Sequence, residues 1–105
     1  MVIRQFDLFI NPSPRTRDEA PYVVVLQSHF AGDLPTIVVA PVYRRDVFEA
    51  FAKLSVEIAI EGESLIVCVP ELVAVSAALL NQRCGDLRGH EDALRRALDR
   101  LFTGF

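Results

Sequence analysis

Cysteine is scarce: Cys68 and Cys84 are the only two in 105 residues. They show no CxxC spacing, so neither a disulfide scaffold nor a redox pair is expected, and reduced thiols in a cytoplasmic protein fit them best. Histidine is equally sparse. His29 ends a strand and His90 opens a helix, and no GxSxG accompanies them, so a Ser-His-Asp hydrolase has no nucleophile and no base. One or two histidines and scattered acids do not make the three or four converging ligands of a metal site. Five glycines contain no phosphate-binding loop. Long apolar runs are missing as well. Uncharged stretches such as Leu34–Tyr43 and Leu72–Gln82 fall short of the ~20 residues that a membrane-spanning helix needs. Arg4 and Asp7 interrupt the first apolar stretch, so no signal peptide is expected. Basic charge is in deficit too: 11 Lys+Arg stand against 14 Asp+Glu, and the isoelectric point is near 5.3. That balance argues against a general nucleic-acid binder. The residues thus offer no catalytic constellation and call for no cofactor or metal.

What is present is core-forming. The chain is 51% apolar and 24% charged with a mean hydropathy of +0.30, far from the composition of disordered chains. A chain of this length buries somewhat over ~60% of its unfolded surface, which supports one core and one domain over residues 1–105. Strand signals fill the first two-thirds. Phe6, Leu8 and Ile10 alternate with Gln5 and Asp7, the pattern of a half-buried strand. Residues 22–27 (YVVVLQ) and 36–43 (TIVVAPVY) are β-branched runs that suit buried strands. Pro41, which has no N–H to donate, belongs at an edge or a bend. Between the first two strands, residues 11–21 (NPSPRTRDEAP) read as an exposed, mobile loop. Residues 55–61 (SVEIAIE) alternate, residues 61–64 (EGES) turn, and residues 65–69 (LIVCV) return: a hairpin. Residues 47–54 and 72–80 have no clear period and stay open between helix and irregular chain.

From His90 to Phe102 the apolar residues Leu94, Leu98, Leu101 and Phe102 recur at helical spacing, with acids leading and arginines following as the helix dipole favours. Asp86 is the nearest good cap. Two features stand out from this scaffold. Arg15 with Arg17, and Arg44 with Arg45, place positive charge on loops of an acidic protein, where it is either simply solvated or a docking patch for an acidic segment of a partner. Phe102 and Phe105 flank Thr103-Gly104 after the helix. Either the helix end is tucked into the core, or an aromatic is offered to a subunit or partner.

In order and spacing the chain resembles the CcdB family of toxins from bacterial toxin–antitoxin modules. The resemblance rests on Gln5-Phe6 at the opening strand and Val25-Leu26-Gln27-Ser28 at the second. It continues through the hairpin turn Ile60-Glu61-Gly62-Glu63-Ser64 and Asp86-Leu87 before the terminal helix, whose register follows Glu91, Ala97 and Phe102. It implies a mainly β fold with a C-terminal α-helix, an SH3-like barrel or antiparallel sheet of the CcdB/MazF type, assembled as a cytoplasmic homodimer. It further implies a non-enzymatic plasmid-maintenance toxin. Such a toxin binds the DNA gyrase A subunit, traps the cleaved-DNA complex of the topoisomerase, and is neutralised by a CcdA-like antitoxin with a disordered tail. Neither nucleic acid nor membrane is contacted directly.

By the same resemblance the gyrase contact falls on Gln5, Phe6, Ser28, Phe30, Ala31, Asp99, Thr103, Gly104 and Phe105. Arg15, Arg17, Arg44 and Arg45 are the candidate antitoxin contacts. The family's terminal Trp-Gly-Ile reads Thr103-Gly104-Phe105 here, and its Asn one helical turn earlier reads Asp99. Losing an indole removes the natural anchor, and Asp99 offsets that loss only where the target offers a matching cation. Two rival expectations follow from these departures and from the shared fold: a non-toxic or retargeted homologue acting as an interaction module, and a MazF-like ribonuclease toxin.

Overall fold

The computed structural model describes residues 2–28, 34–45 and 54–104. Its strands are β1 (Asp7–Ile10), β2 (Tyr22–Val25), β3 (Thr36–Arg44), β4 (Ser55–Ile60), β5 (Glu63–Cys68), β6 (Val73–Ser76) and β7 (Arg83–Asp86), and one helix, α1 (Glu91–Thr103), follows them. They form one curled antiparallel sheet, a half-barrel, in the order β4-β5-β3-β2-β1-β7, with β6 also paired to β3. The expected β fold with a C-terminal helix is therefore what forms. The segment 47–54, open between a short helix and an irregular approach to the hairpin, lies outside the described residues except for Leu54.

The curl originates in β3. One edge pairs with β2 through residues 39–42, whereas the other pairs with β6 through residues 36–39 and with β5 through residues 42–44. Ala40 and Pro41 lie between those two partners, so the residue that cannot donate to a ladder stands where the ladder is interrupted. The β4–β5 hairpin closes on two residues. Glu61 and Gly62 both have positive φ (51° and 81°), as a type I′ turn requires, and pairing resumes at Ile60↔Glu63. Glu63 and Ser64 thus belong to the strand and not to the turn.

Two apolar clusters flank the sheet. Leu8, Val24, Val42, Leu65 and Val67 face one side with Leu94 and Ala97 of α1. Phe9, Val23, Val25, Ile37, Val39 and Leu80 face the other. Because β1 gives Leu8 to one cluster and Phe9 to the other it is buried on both faces, which corrects the half-buried reading: Asp7 and Phe9 are as inaccessible as Leu8. Residues 72–80 resolve into β6 and a following 3-10 turn (Ala77–Leu79).

The 11–21 segment is exposed along residues 14–19 but is not loose, and Asn11 is the reason. Its buried side-chain amide donates to Thr16 Oγ1 at 3.0 Å and the Ala20 carbonyl at 2.8 Å, and its Oδ1 accepts the Ser13 N–H at 2.9 Å. Arg17 Nε donates to the Asn11 carbonyl at 2.8 Å.

Before α1 the chain makes a 3-10 turn (Arg88–His90). Asp86 accepts the Arg88 N–H at 3.0 Å, and that bond holds its carboxyl below the usual range. Leu94 and Ala97 are the helix's buried contacts, Leu98 and Leu101 are half-buried, and Phe102, open between core and surface in the sequence, is exposed. Gly104, with φ 81°, ends the helix in the left-handed region and donates its N–H to the Arg100 carbonyl at 3.1 Å.

Candidate functional site

The strands bring the opening of the chain against the helix. Phe6 has φ 69°, a conformation rare for a bulky residue, stabilised by its N–H bond to the Val25 carbonyl at 2.7 Å and its carbonyl bond from Leu87 N–H at 2.8 Å. The turn directs the Gln5 side chain sideways. Its Nε2 donates to the Leu26 carbonyl at 2.9 Å, and its Oε1 accepts from Arg95 Nη2 at 3.3 Å. The Arg95 guanidinium also lies 5.4 Å over the Phe6 ring and bonds Glu91 at 3.0 Å. Gln5 is thereby fixed to α1.

On α1, Arg95, Asp99, Phe102 and Thr103 follow i, i+4, i+7 and i+8, one exposed face. Of the residues named by resemblance, the structure brings Gln5, Asp99, Thr103 and Gly104 to this side of the molecule. Phe6 is only 2% exposed: it supports Gln5 and Arg95 from beneath and offers no surface itself, a correction to its expected place in the contact. Ser28 is half-buried. His29, Phe30, Ala31 and Phe105 lie outside the described residues. Thr103 Oγ1 donates to the Asp99 carbonyl at 2.6 Å, so its hydroxyl is engaged by its own helix.

The arginine patch is organised differently from the loop charges expected. Arg44 is the last residue of β3 and pairs with Glu63, while Arg45 pairs with Glu57. Arg44 also ties down the 11–21 segment, its Nε donating to the Asp18 carbonyl at 2.8 Å and its N–H to the Glu19 carbonyl at 2.9 Å. The segment that carries Arg15 and Arg17 is thereby tied to Arg44 and forms one rim. Behind that rim runs an apolar groove of about 360 Å³ between the segment and β6, lined by Val23, Val39, Val73 and Leu79 and bordered by Glu71, which accepts a hydrogen bond from Tyr43 Oη.

One cluster went unread in the sequence. Asp7, 1% exposed, accepts from the Arg4 N–H at 2.8 Å, Arg83 at 3.2 Å and Arg88 at 3.3 Å. It joins β1, β7 and the start of the helix. The available signal was an acid inside a buried strand with arginines at both ends of a later one. Among the described residues, no group of three or more His, Cys, Asp and Glu is placed to hold a metal ion. No helix is long and apolar enough to cross a membrane.

The two thiols separate cleanly. Cys68 is fully buried, and burial pushes its pKa up to about 11; Cys84 is exposed, though desolvation raises it as well. A thiol reagent at pH 8 should modify one equivalent in the native protein and a second only on unfolding, read by absorbance. Because the folded Cys68 pKa is raised, its contribution to stability is complete below pH 8 and declines above about pH 9, where the unfolded chain ionises and the folded one does not.

The class is defined by these features: a curled antiparallel half-barrel with a C-terminal helix, its opening strand locked to an exposed helix face. The CcdB protein family matches residues 5–104, and the chain belongs to that family. Membership supports a toxin of the CcdB type. No curated protein matches the chain.

Proposed function

We propose that the protein poisons DNA gyrase by binding its A subunit and trapping the cleaved-DNA complex, and that a CcdA-like antitoxin neutralises it. The observation that carries this reading is the joining of Gln5 to α1 through Arg95, which aligns Gln5 with Asp99, Thr103 and Gly104 on one accessible side. These positions correspond to the family's gyrase contact. The toxin acts as a single-domain homodimer in the cytoplasm, through protein contacts alone, with no catalytic residue and no direct hold on nucleic acid. The antitoxin's acidic tail docks along Arg15 and Arg17, with Arg44 and Arg45 behind them; association is steered by charge and slows as salt rises.

Induced expression should arrest bacterial growth, and co-expression of the antitoxin should relieve the arrest. Full soluble expression without arrest would favour the retargeted, non-toxic reading. The engaged Thr103 hydroxyl and the added Asp99 charge are what give that second reading its footing.

A further inference from the structure

Between the opening of the chain and the start of α1 lies a recess of about 190 Å³, lined by Arg4, Gln5, Phe6, Arg88, Glu91 and Arg95. Three of its six lining residues are arginines, in a chain whose net charge is −3. Their placement is built in. Buried Asp7 fixes the Arg4 backbone, accepting its N–H at 2.8 Å and donating its own N–H to the Arg4 carbonyl at 3.1 Å. The same carboxylate holds the Arg88 side chain through Nη2 at 3.3 Å, while Arg88 Nη1 reaches Asp86 at 3.1 Å. Arg95 is stacked over the Phe6 ring and bonds Glu91 through Nε and Gln5 through Nη2.

Held in this way, the guanidinium groups are not saturated. Each carries more N–H donors than Glu91 and Gln5 take from Arg95, or than Asp7 and Asp86 take from Arg88. The Arg4 side chain forms no ion pair and no hydrogen bond among the described residues. Around the recess Arg4, Arg83, Arg88 and Arg95 stand against Asp7, Asp86 and Glu91, and Arg4 is the charge with no acid opposite it. Fixed guanidinium forks with unused donors are the chemistry that recognises an oxyanion. A planar carboxylate is satisfied by one fork; three forks from separate turns of the chain suit the tetrahedral oxygens of phosphate. The positive charge is confined to a recess bordered by Asp86 and Glu91 and forms no stripe, unlike the footprint of a nucleic acid. We propose that Arg4, Arg88 and Arg95 form an anion-binding pocket that takes the phosphate group of a small molecule, either free phosphate or a nucleotide. The pocket stands independently of the gyrase reading.

The test is an amide NMR titration of the full-length protein at constant ionic strength, with inorganic phosphate, ATP, succinate and a short DNA duplex in turn. Phosphate and ATP should each give saturable shifts confined to residues 4–6 and 88–95. A lower midpoint for ATP names a nucleotide as the source, and a midpoint no lower names free phosphate. Arg4→Gln should raise the midpoint about tenfold, the loss expected for a charge-assisted hydrogen bond. Its melting temperature should match that of the native protein, because the exposed Arg4 side chain has no partner to lose. Arg95→Lys keeps the charge but not the fork and should weaken phosphate several-fold. Arg96→Gln, on α1 outside the recess, should change the midpoint less than twofold. Shifts that fail to saturate, or Arg4→Gln within twofold of the native chain, would overturn the pocket. Succinate binding as tightly as phosphate would overturn the phosphate assignment in favour of an acidic side chain. A duplex that binds through Arg4 where phosphate does not would overturn it in favour of nucleic acid. None of these outcomes depends on growth arrest, so the pocket and the gyrase reading fail separately.

Discussion

Thr103→Trp should tighten the complex with the gyrase A subunit about a hundredfold. Thr103 is exposed at the last turn of α1 beside Phe102 and contributes only its methyl group, because Oγ1 is bonded to the Asp99 carbonyl. An indole at that point adds on the order of 100 Å² of apolar surface to a contact centred there. At roughly 25 cal/mol per Å² this amounts to about 2–3 kcal/mol, or approximately two decades in dissociation constant. The cost is small: threonine and tryptophan have similar helix propensities, and the freed carbonyl near the helix end is open to water. Calorimetric titration of native and substituted chains reads the difference directly. Equal affinities would place the contact away from the helix end.

Leu94→Ala should lower the stability of the fold by about 2–5 kcal/mol, a large share of the roughly 5–15 kcal/mol that keeps a domain folded. Leu94 is fully buried, and with Ala97 it is the part of α1 that enters the sheet's main apolar cluster. Ala93, Leu98 and Leu101 pack against the same cluster but are only half-buried, so Leu94 is the large side chain of the helix that is fully enclosed there. In urea the midpoint should fall with little change in slope. Growth arrest by this variant should weaken along with its melting temperature, whereas Asp99→Lys, on the exposed face, should lose activity with no change in melting. That contrast separates a seat for the helix from a contact on it.

Much of the fold could be read from residue patterns because the patterns were local. The β4–β5 hairpin announced itself through alternation and a Gly62 turn, α1 through leucine spacing and charge order, and the ladder interruption through Pro41. The misreadings were tertiary. Whether β1 is buried on one face or two depends on what packs on each side of the sheet, and nothing between residues 6 and 10 records Leu80 on one side or Leu94 on the other. The same is true of Asp7, whose partners Arg83 and Arg88 lie at the far end of the chain. Residues 11–21 looked loose because proline, serine and charge suit loops generally. Their order comes from Asn11 inside the segment and Arg44 across from it, whose hydrogen bonds become apparent only once the chain folds back.

The contact face was partly legible. Gln5, Asp99, Thr103 and Gly104 are all candidates through the family resemblance alone. Phe102 could be placed either in the core or on the surface by its spacing alone, and only the packing of Leu94 and Ala97 turns it outward. Arg44 and Arg45 read as free loop charges for a similar reason: their partners Glu63 and Glu57 sit on strands whose neighbours the sequence does not name.

The most direct measurement mixes purified gyrase, supercoiled plasmid and the native protein at micromolar concentration, then denatures the reaction with detergent and protease. Linear plasmid should accumulate in proportion to the added protein, the mark of a trapped cleaved complex, and adding the antitoxin beforehand should prevent it. Unimpeded supercoiling with no linear product at saturating protein would contradict the account.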